Sequence, residues 1–360
     1  MTLLPAGAIR STVDSIAAVQ HRDGAIPWFP GGEVDPWDHI EAAMALTVGG
    51  LHANARAAFR WLQTEERQGW WPAKYRDGAP VCDFGETHHS AYLAVGVWHH
   101  FLATDDEAFL AELWPTVRQA SDFVVRHQQA SGVVPWAVHP GTGPDPVALL
   151  TGSASTYQGL RCAAAIAEYL GHAQPDWELA AADLQRAIAE KPDLFADKSR
   201  YSMDWYYPVL GGAVRGASAV ERLAERWDEF VVPGFGARCV ADRPWVTGAE
   251  TCELALALHA VGNIDAATQI VLDMQHLRHD DGSYWTGLVF DEGVRWPVER
   301  TTWTGAAVVL AVDALDGAHP RSTIFSSVAS LGDKSAASTV SPVTSEQAQG
   351  AASGHFREIA

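Results

Sequence analysis

The stretch from Thr87 to Val117 reads THHSAYLAVGVWHHFLATDDEAFLAELWPTV, and it decides the fold. Apolar residues recur at helical spacing from Thr87 to Ala103, the polar triplet Thr104-Asp105-Asp106 interrupts them, and a second helical period runs from Glu107 to Gln129. Asp ahead of an apolar period is a start signal, because its carboxylate accepts from the free N–H groups of the first turn. Two helices across so short a break form an αα-hairpin. The plan recurs along the chain. A helix over 37–48 is broken by Gly49-Gly50 and followed by Leu51–Gln63. Ser155–Leu170 ends at Gly171 and precedes Asp176–Glu190; Ser202–Leu210 and Gly211-Gly212 precede a short helix over Ser218–Arg226. Thr247–Val261 and Gly262-Asn263 precede Ile264–Leu277, while Ala8–Gln20 comes first and Thr302–Leu315 last. The pattern predicts about twelve helices in six pairs, a helical repeat with no strand-rich block.

Links within the pairs are short, whereas those between pairs, 21–36, 64–85, 130–152, 227–246 and 278–299, are long. In an up-down array alternate connections emerge at opposite ends, so the long ones share one face, where function gathers. Four of them share a composition. Gln20 leads through Gly24 to Trp28, Gln63 through Gly69 to Trp70-Trp71, Gln129 through Gly132 to Trp136, and Gln275 through Gly282 to Trp285. Gly supplies a positive-φ turn, and the aromatic after it packs on the core or lines the cleft.

Hydrophobic residues make up 48% of the 360 and charged ones 19%, which suits a chain with a large core. Asp and Glu outnumber Lys and Arg 44 to 25, and the formal charge of −19 repels phosphate backbones and anionic lipid. Nucleic acid and membrane are therefore excluded as partners, and a small molecule or an oligosaccharide is expected. No apolar run approaches the roughly 18 residues that span a bilayer. Met1 to Ala18 shows no basic-then-apolar leader pattern, and the four cysteines lie far apart without a CxxC pair, so the expected location is cytoplasmic. The composition near the C-terminus turns to Ser, Ala, Thr, Gln and Gly. Residues 1–317 are expected to form a single domain and 318–360 a disordered tail.

Polar and aromatic clusters open the inner helices: Asp35-Pro-Trp37-Asp38-His39, Asp83-Phe-Gly-Glu86-Thr-His88-His89, Ser202-Met-Asp204-Trp205-Tyr206-Tyr207, Trp245-Val-Thr247-Gly-Ala-Glu250 and Glu299-Arg300-Thr-Thr-Trp303. Each acid alone reads equally well as a helix-start carboxylate. Together, carboxylates interleaved with Trp and Tyr suit a sugar site. Aromatic rings stack on sugar C–H faces, and two acids run general acid and base catalysis across the bond. The acid pool is Asp38, Glu86, Asp204, Glu250 and Glu299. Trp37, Trp205, Trp245, Trp285 and Trp303 are the stacking walls, with His88, His89, Tyr206 and Arg300 as further substrate contacts. His99-His100 reads as packing. No cofactor or metal is expected, since Cys82 with His88 or His89 is too sparse a donor set.

Thr87-His-His-Ser-Ala-Tyr-Leu followed by Asp106-Glu-Ala-Phe-Leu-Ala-Glu-Leu-Trp114-Pro115 resembles the six-hairpin (α/α)6 glycosidases, the glucoamylase-like group, where an inner helix precedes the same pattern opening an outer one. The resemblance implies an all-α (α/α)6 toroid and a glycoside hydrolase using a pair of carboxylates in the toroid cavity. It also implies a base carboxylate in the loop before the last inner helix, the place of Glu299. The acid of that group lies in the loop before the third inner helix, but here 130–152 holds no Glu and only Asp145. Glu250 takes the acid's part, with Trp245 and Val246 placed to desolvate it. Gln275–Trp285 and Gln20–Trp28 are also similar to the Q-x-x-D-G-S-x-W repeat of terpene-cyclase and protein-prenyltransferase toroids. That likeness implies an isoprenoid enzyme as the alternative, although the D-x-D-D and D-x-C motifs of those groups are absent. A non-catalytic sugar-binding toroid is the third reading. Two facing carboxylates in a polar cavity separate the first from the others.

Overall fold

The computed structural model describes residues 2–319 together with Ile324 and Phe325. Its helices are α1 (Ala6–Val19), α2 (Pro36–Val48), α3 (His52–Glu65), α4 (Thr87–Thr104), α5 (Glu107–His127), α6 (Leu150–Tyr169), α7 (Pro175–Glu190), α8 (Ser202–Leu210), α9 (Ala217–Glu225), α10 (Trp227–Phe230), α11 (Gly248–Ala260), α12 (Ile264–Asp273) and α13 (Thr302–Asp316). Helices α2, α4, α6, α8, α11 and α13 pack side by side in that order, and α13 returns to α2. Outside this ring α3, α5, α7, α9 and α12 each fold back on the inner helix before them, while α1, from the opposite end of the chain, packs on α13. The architecture is the all-α (α/α)6 toroid, with α10 an extra turn.

Burial follows the two layers. In α4 every residue from His89 to Phe101 is buried, whereas α5 buries one stripe that includes Phe109, Leu113, Val117 and Val124. Asp35 and Asp106 cap α2 and α5, accepting from the Asp38 N–H at 2.9 Å and the Phe109 N–H at 3.1 Å. A left-handed Gly317 ends α13.

Some boundaries depart from the sequence pattern. The sixth helix starts at Leu150, a turn before Ser155, and this extra turn carries Thr151, whose hydroxyl donates to Asp204 at 2.7 Å. Helix α12 stops at Asp273 and tightens into a 3-10 turn over Met274–Leu277. The long loops carry short antiparallel ladders. Val231–Val232, Gly236–Arg238, Trp245–Thr247, Gly287–Val289 and Val294–Arg295 form one sheet in that order, and Gly85–Glu86, Ala137–His139 and Gly143–Pro144 another. No helix among the described residues is long and apolar enough to cross a membrane. The expected tail, 318–360, lies for the most part outside the described residues; within it Ile324 and Phe325 are buried, and the Phe325 carbonyl accepts from Arg215 at 3.1 Å.

The repeated glycine turns dock the loops. Gly24, Gly69, Gly132 and Gly282 have φ of +104°, +95°, +96° and +94°. A Cβ on Gly24 or Gly69 would collide with the carbonyl oxygen of Ala57 in α3 or Gln119 in α5. One on Gly132 would lie 2.7 Å from the Asp183 carbonyl oxygen in α7, and one on Gly282 2.6 Å from the Ser11 carbonyl carbon in α1. Each loop thus lays bare backbone on the outer partner of the inner helix it leads into. Amide side chains clamp the contact. Gln20 Nε2 donates to the Gly24 and Asn54 carbonyls at 2.9 and 3.0 Å, and Gln128 Nε2 to those of Gly132 and Ala180 at 2.9 and 2.8 Å. The clamp is therefore Gln128 rather than Gln129, and Arg278 rather than Gln275 bonds α1, at Ser11 Oγ, 2.7 Å. Further along, the Pro-Trp pair holds a neighbouring inner helix. Thr302 donates through N–H and Oγ1 to the Trp28 and Pro27 carbonyls at 2.7 and 2.9 Å, and Thr87 does the same to Trp136 and Pro135 at 3.0 and 2.6 Å.

Gly31 supplies a control for this docking, because its φ is +78° but nothing lies within 4 Å of its Cβ position. Gly31→Ala should cost only left-handed strain, roughly 1–2 kcal/mol, whereas Gly69→Ala adds a backbone collision. The melting temperature should fall at least twice as far for Gly69→Ala. Equal losses in thermal unfolding would show that the contact with α5 contributes nothing.

Candidate active site

The site is built from the first turns of α2 and α11, which flank α13 in the inner ring. The Trp28 indole donates to one oxygen of Asp35, whose other oxygen caps α2 at Asp38. Asp38 is half-buried on the first turn of α2. One turn deeper, Glu41 is 3% exposed and accepts at Oε1 from the Tyr92 hydroxyl at 2.7 Å and the Trp37 indole at 3.1 Å. Trp303 stands beside the same carboxylate. Helix α11 repeats the spacing. Glu250, 6% exposed, lies on its first turn against the Cys239 thiol, and Glu253, 2% exposed, lies one turn deeper and accepts from the Tyr206 hydroxyl. The Oε1 of Glu253 is buried without a partner.

Concentrating Asp35, Asp38, Glu41 and Glu253 in a desolvated ring centre favours their neutral forms. Burial, and then the charges of Asp35, Glu41, Glu253 and Glu250, push Asp38 well above the usual carboxylate range. Burial lifts Glu41 to about 7 in spite of its hydrogen bonds, and burial with the nearby Glu41 charge lifts Glu253 well above its ordinary value. Burial also raises Asp35. The proton on Asp38 is thus held more tightly than on an ordinary carboxyl group.

Aromatic rings wall the acids. Trp37 stacks on Tyr92 with centroids 4.6 Å apart and planes 15° from parallel, and meets His88 and Tyr207 edge-on at 5.1 and 5.4 Å. At the start of α4, Nε2 of His88 and of His89 lie 3.3 and 3.9 Å from Glu86 Oε2. Burial holds both imidazoles neutral, His89 down at about 3, and lifts Glu86 to about 7. Glu86, His88 and His89 each bring a donor atom within 4.8 Å of the others, the grouping among the described residues with the composition of a metal site. Cys82 bonds elsewhere, its sulfur accepting from the Lys74 N–H at 3.3 Å.

The other expected residues are spread more widely. Asp204 bonds Thr151 between α6 and α8. Trp205 faces away from the ring centre: its indole donates to the Arg222 carbonyl at 2.6 Å and its ring stacks on Phe230 at 5.3 Å. Successive helical residues point about 100° apart, and here Tyr206 and Tyr207 take the inward directions while Trp205 points outward. Trp245 lies on the five-stranded sheet, its indole donating to the Trp296 carbonyl at 2.8 Å. Glu299, Arg300 and Trp285 line a groove of about 670 Å³ against α1. Glu41 and Glu253 were absent from the expected pool. Each sits three residues after a pool acid with no Lys or Arg within a turn, and that spacing is the signal that marks them.

Acids on α2 and α11 of a closed (α/α)6 ring, between Trp and Tyr walls, belong to a carbohydrate-active glycoside hydrolase of the six-hairpin type. A wild-type glycosidase shares the fold at a TM-score of 0.67 over 86% of this chain and 96% of its own, with 15% identity. A D-mannose isomerase does so at 0.64 over 88% and 100%, with 11% identity. None of the protein-family models matches the chain. It is 54% identical over 320 residues, 89% of either sequence, to the MMP endo-(1,4)-3-O-methyl-alpha-D-mannosidase of Mycolicibacterium hassiacum, and it belongs to that mannosidase's family.

The buried acids make stability depend on pH with a definite sign. Glu41 titrates near 7 in the fold against 4.5 ordinarily, so its contribution is complete below about 4.5 and is lost as pH rises through about 7. Glu86, also lifted to about 7, adds to the same window. The melting temperature should therefore fall between about pH 5 and 8, and Glu41→Gln, which cannot ionise, should flatten that fall. Parallel curves for the two proteins in a pH series of thermal melts would remove Glu41 as the cause.

Proposed function

We propose that this enzyme cuts internal α-(1,4) bonds in chains of 3-O-methyl-mannose, with Asp38 as general acid and Glu250 as the carboxylate across the bond. The observation that carries the substrate is the 54% identity to an endo-mannosidase of that printed specificity, sustained over 89% of both chains. The acid assignment is supported by the environment of Asp38, half-buried with its proton favoured by burial and four neighbouring acids.

Asp38 passes its proton to the glycosidic oxygen as the C–O bond breaks and positive charge grows on the sugar ring. The carboxylate-rich surroundings stabilise that charge. Glu250 works from the opposite face, taking a proton from an attacking water if the carboxyl groups stand roughly 6.5–9.5 Å apart, or attacking the ring carbon itself at roughly 5–5.5 Å. Trp37 and Tyr92 supply a ring face against which sugar C–H groups stack. The same acids repel an isoprenyl diphosphate, the ligand of the toroid alternative.

The purified enzyme should turn a 3-O-methyl-mannose oligosaccharide into shorter oligosaccharides before free sugar accumulates, as followed by mass spectrometry. Release of single sugars from the outset would rule out internal cutting. Asp38→Asn and Glu250→Gln should each lower kcat by about 10²–10⁴ while circular dichroism stays unchanged. A variant within about tenfold of wild type would remove its residue from the pair.

A further inference from the structure

The groove against α1, lined in part by Glu299, lies outside the Asp38–Glu250 pair proposed above. It runs between α1, the Phe29-Pro30 corner and the segment from Val298 to Thr302, and its volume of about 670 Å³ lies within the ~300–1,000 Å³ of ligand pockets. We propose that it is a second sugar site, which holds a neutral, O-methylated stretch of the substrate chain away from the bond being cut. The identity of the chain rests on the reading above; the site rests on the groove.

Charge chooses a neutral ligand. Asp14, Asp281 and Glu299 line the groove, and its cation is already engaged: Arg300 Nη1 donates to Ser283 Oγ at 2.8 Å and to Asp281, and lies 2.8 Å from His279 Nδ1. An anion would meet carboxylates and no free positive partner. The same bonds hold the Arg300 guanidinium over Trp285, 5.4 Å from the ring centroid, so the indole is a fixed platform. Trp285 and Phe29 offer flat apolar area, and serine hydroxyls with the acids offer hydrogen bonds to sugar hydroxyls. Val298, in the lining, is 79% exposed, and Trp296 two residues before it is 52% exposed. Exposed apolar groups next to a groove mark a contact surface, and methyl ethers give a sugar chain the apolar edge that matches this one.

Geometry connects the groove to the acids. Glu299 to Thr302 form its wall, and the next residue, Trp303, stands beside Glu41. Internal cutting also requires the chain to continue past the reacting bond on both sides. A closed ring cannot pass it through a packed core, so at least one end must lie over the rim.

The test compares kcat/KM for a tetrasaccharide and a dodecasaccharide of (1,4)-linked 3-O-methyl-mannose, using the full chain and its Trp285→Ala and Phe29→Ala variants. Wild type should favour the longer chain about tenfold, and each variant should lose most of that advantage through KM. No preference in wild type, or a full preference kept by both variants, overturns the proposal. If wild type cleaves neither chain, the substrate reading has failed and calorimetry decides the groove. Binding of the dodecasaccharide about tenfold weaker in Trp285→Ala supports it, whereas equal affinity or no binding overturns it.

Discussion

Outer-helix carbonyl oxygens lie where Gly24, Gly69 and Gly132 would carry side chains, and much of the molecule follows from that closeness. Only a residue without Cβ lets a loop descend onto a helix backbone. Once Gly24 is seated on α3, Trp28 has one position. From there its carbonyl holds Thr302 at the start of α13 and its indole holds Asp35, which caps α2 at Asp38. A steric contact on the outside of the ring thereby sets an acid on the inside. Chemistry of this kind needs atoms placed to within a fraction of an ångström, and backbone contacts with no rotamer freedom provide that.

The second organising element opposes the first. Asp35, Asp38, Glu41 and Glu253 share a desolvated interior, an arrangement that favours protonation and disfavours burial of charge. Tyrosine and tryptophan donors meet part of that cost at Glu41 and Glu253, where the Tyr92, Trp37 and Tyr206 bonds fix side chains that also form the walls. Glu41 and Glu253, one turn deeper, therefore act on two properties together, the orientation of the aromatic rings and the proton affinity of Asp38. Stability given up in this way at a functional centre is compensated by the packed helices around it.

Helix existence was legible because breaks such as Gly49-Gly50 and Gly262-Asn263 and caps such as Asp106 act locally. The docking loops were legible as a repeat of Gly and Trp, whereas the side chains that clamp them, among them Gln128 and Arg278, follow no sequence spacing that singles them out. Interior acids were harder to find. Glu41 lies among Ile40, Ala43 and Met44, and in a helix buried on all sides an acid leaves no mark on apolar periodicity. Trp205 failed for a related reason: proximity to Asp204 in sequence says nothing about which way a helical neighbour points. The ladders of two or three residues carry too little alternation to register as strands at all.

Helix α1 is made first but belongs to the last hairpin. Ile16, 1% exposed, packs towards α13, and the Thr12 hydroxyl reaches the Gly282 carbonyl at 2.8 Å across 270 residues of chain. At translation speeds of about 5–20 residues per second, α1 spends roughly 15–60 s on the ribosome before α13 is complete. The nascent polypeptide thus carries an unmatched apolar stripe on α1 until α13 emerges. Ring closure becomes a late, long-range event, and its contacts carry a high sequence separation.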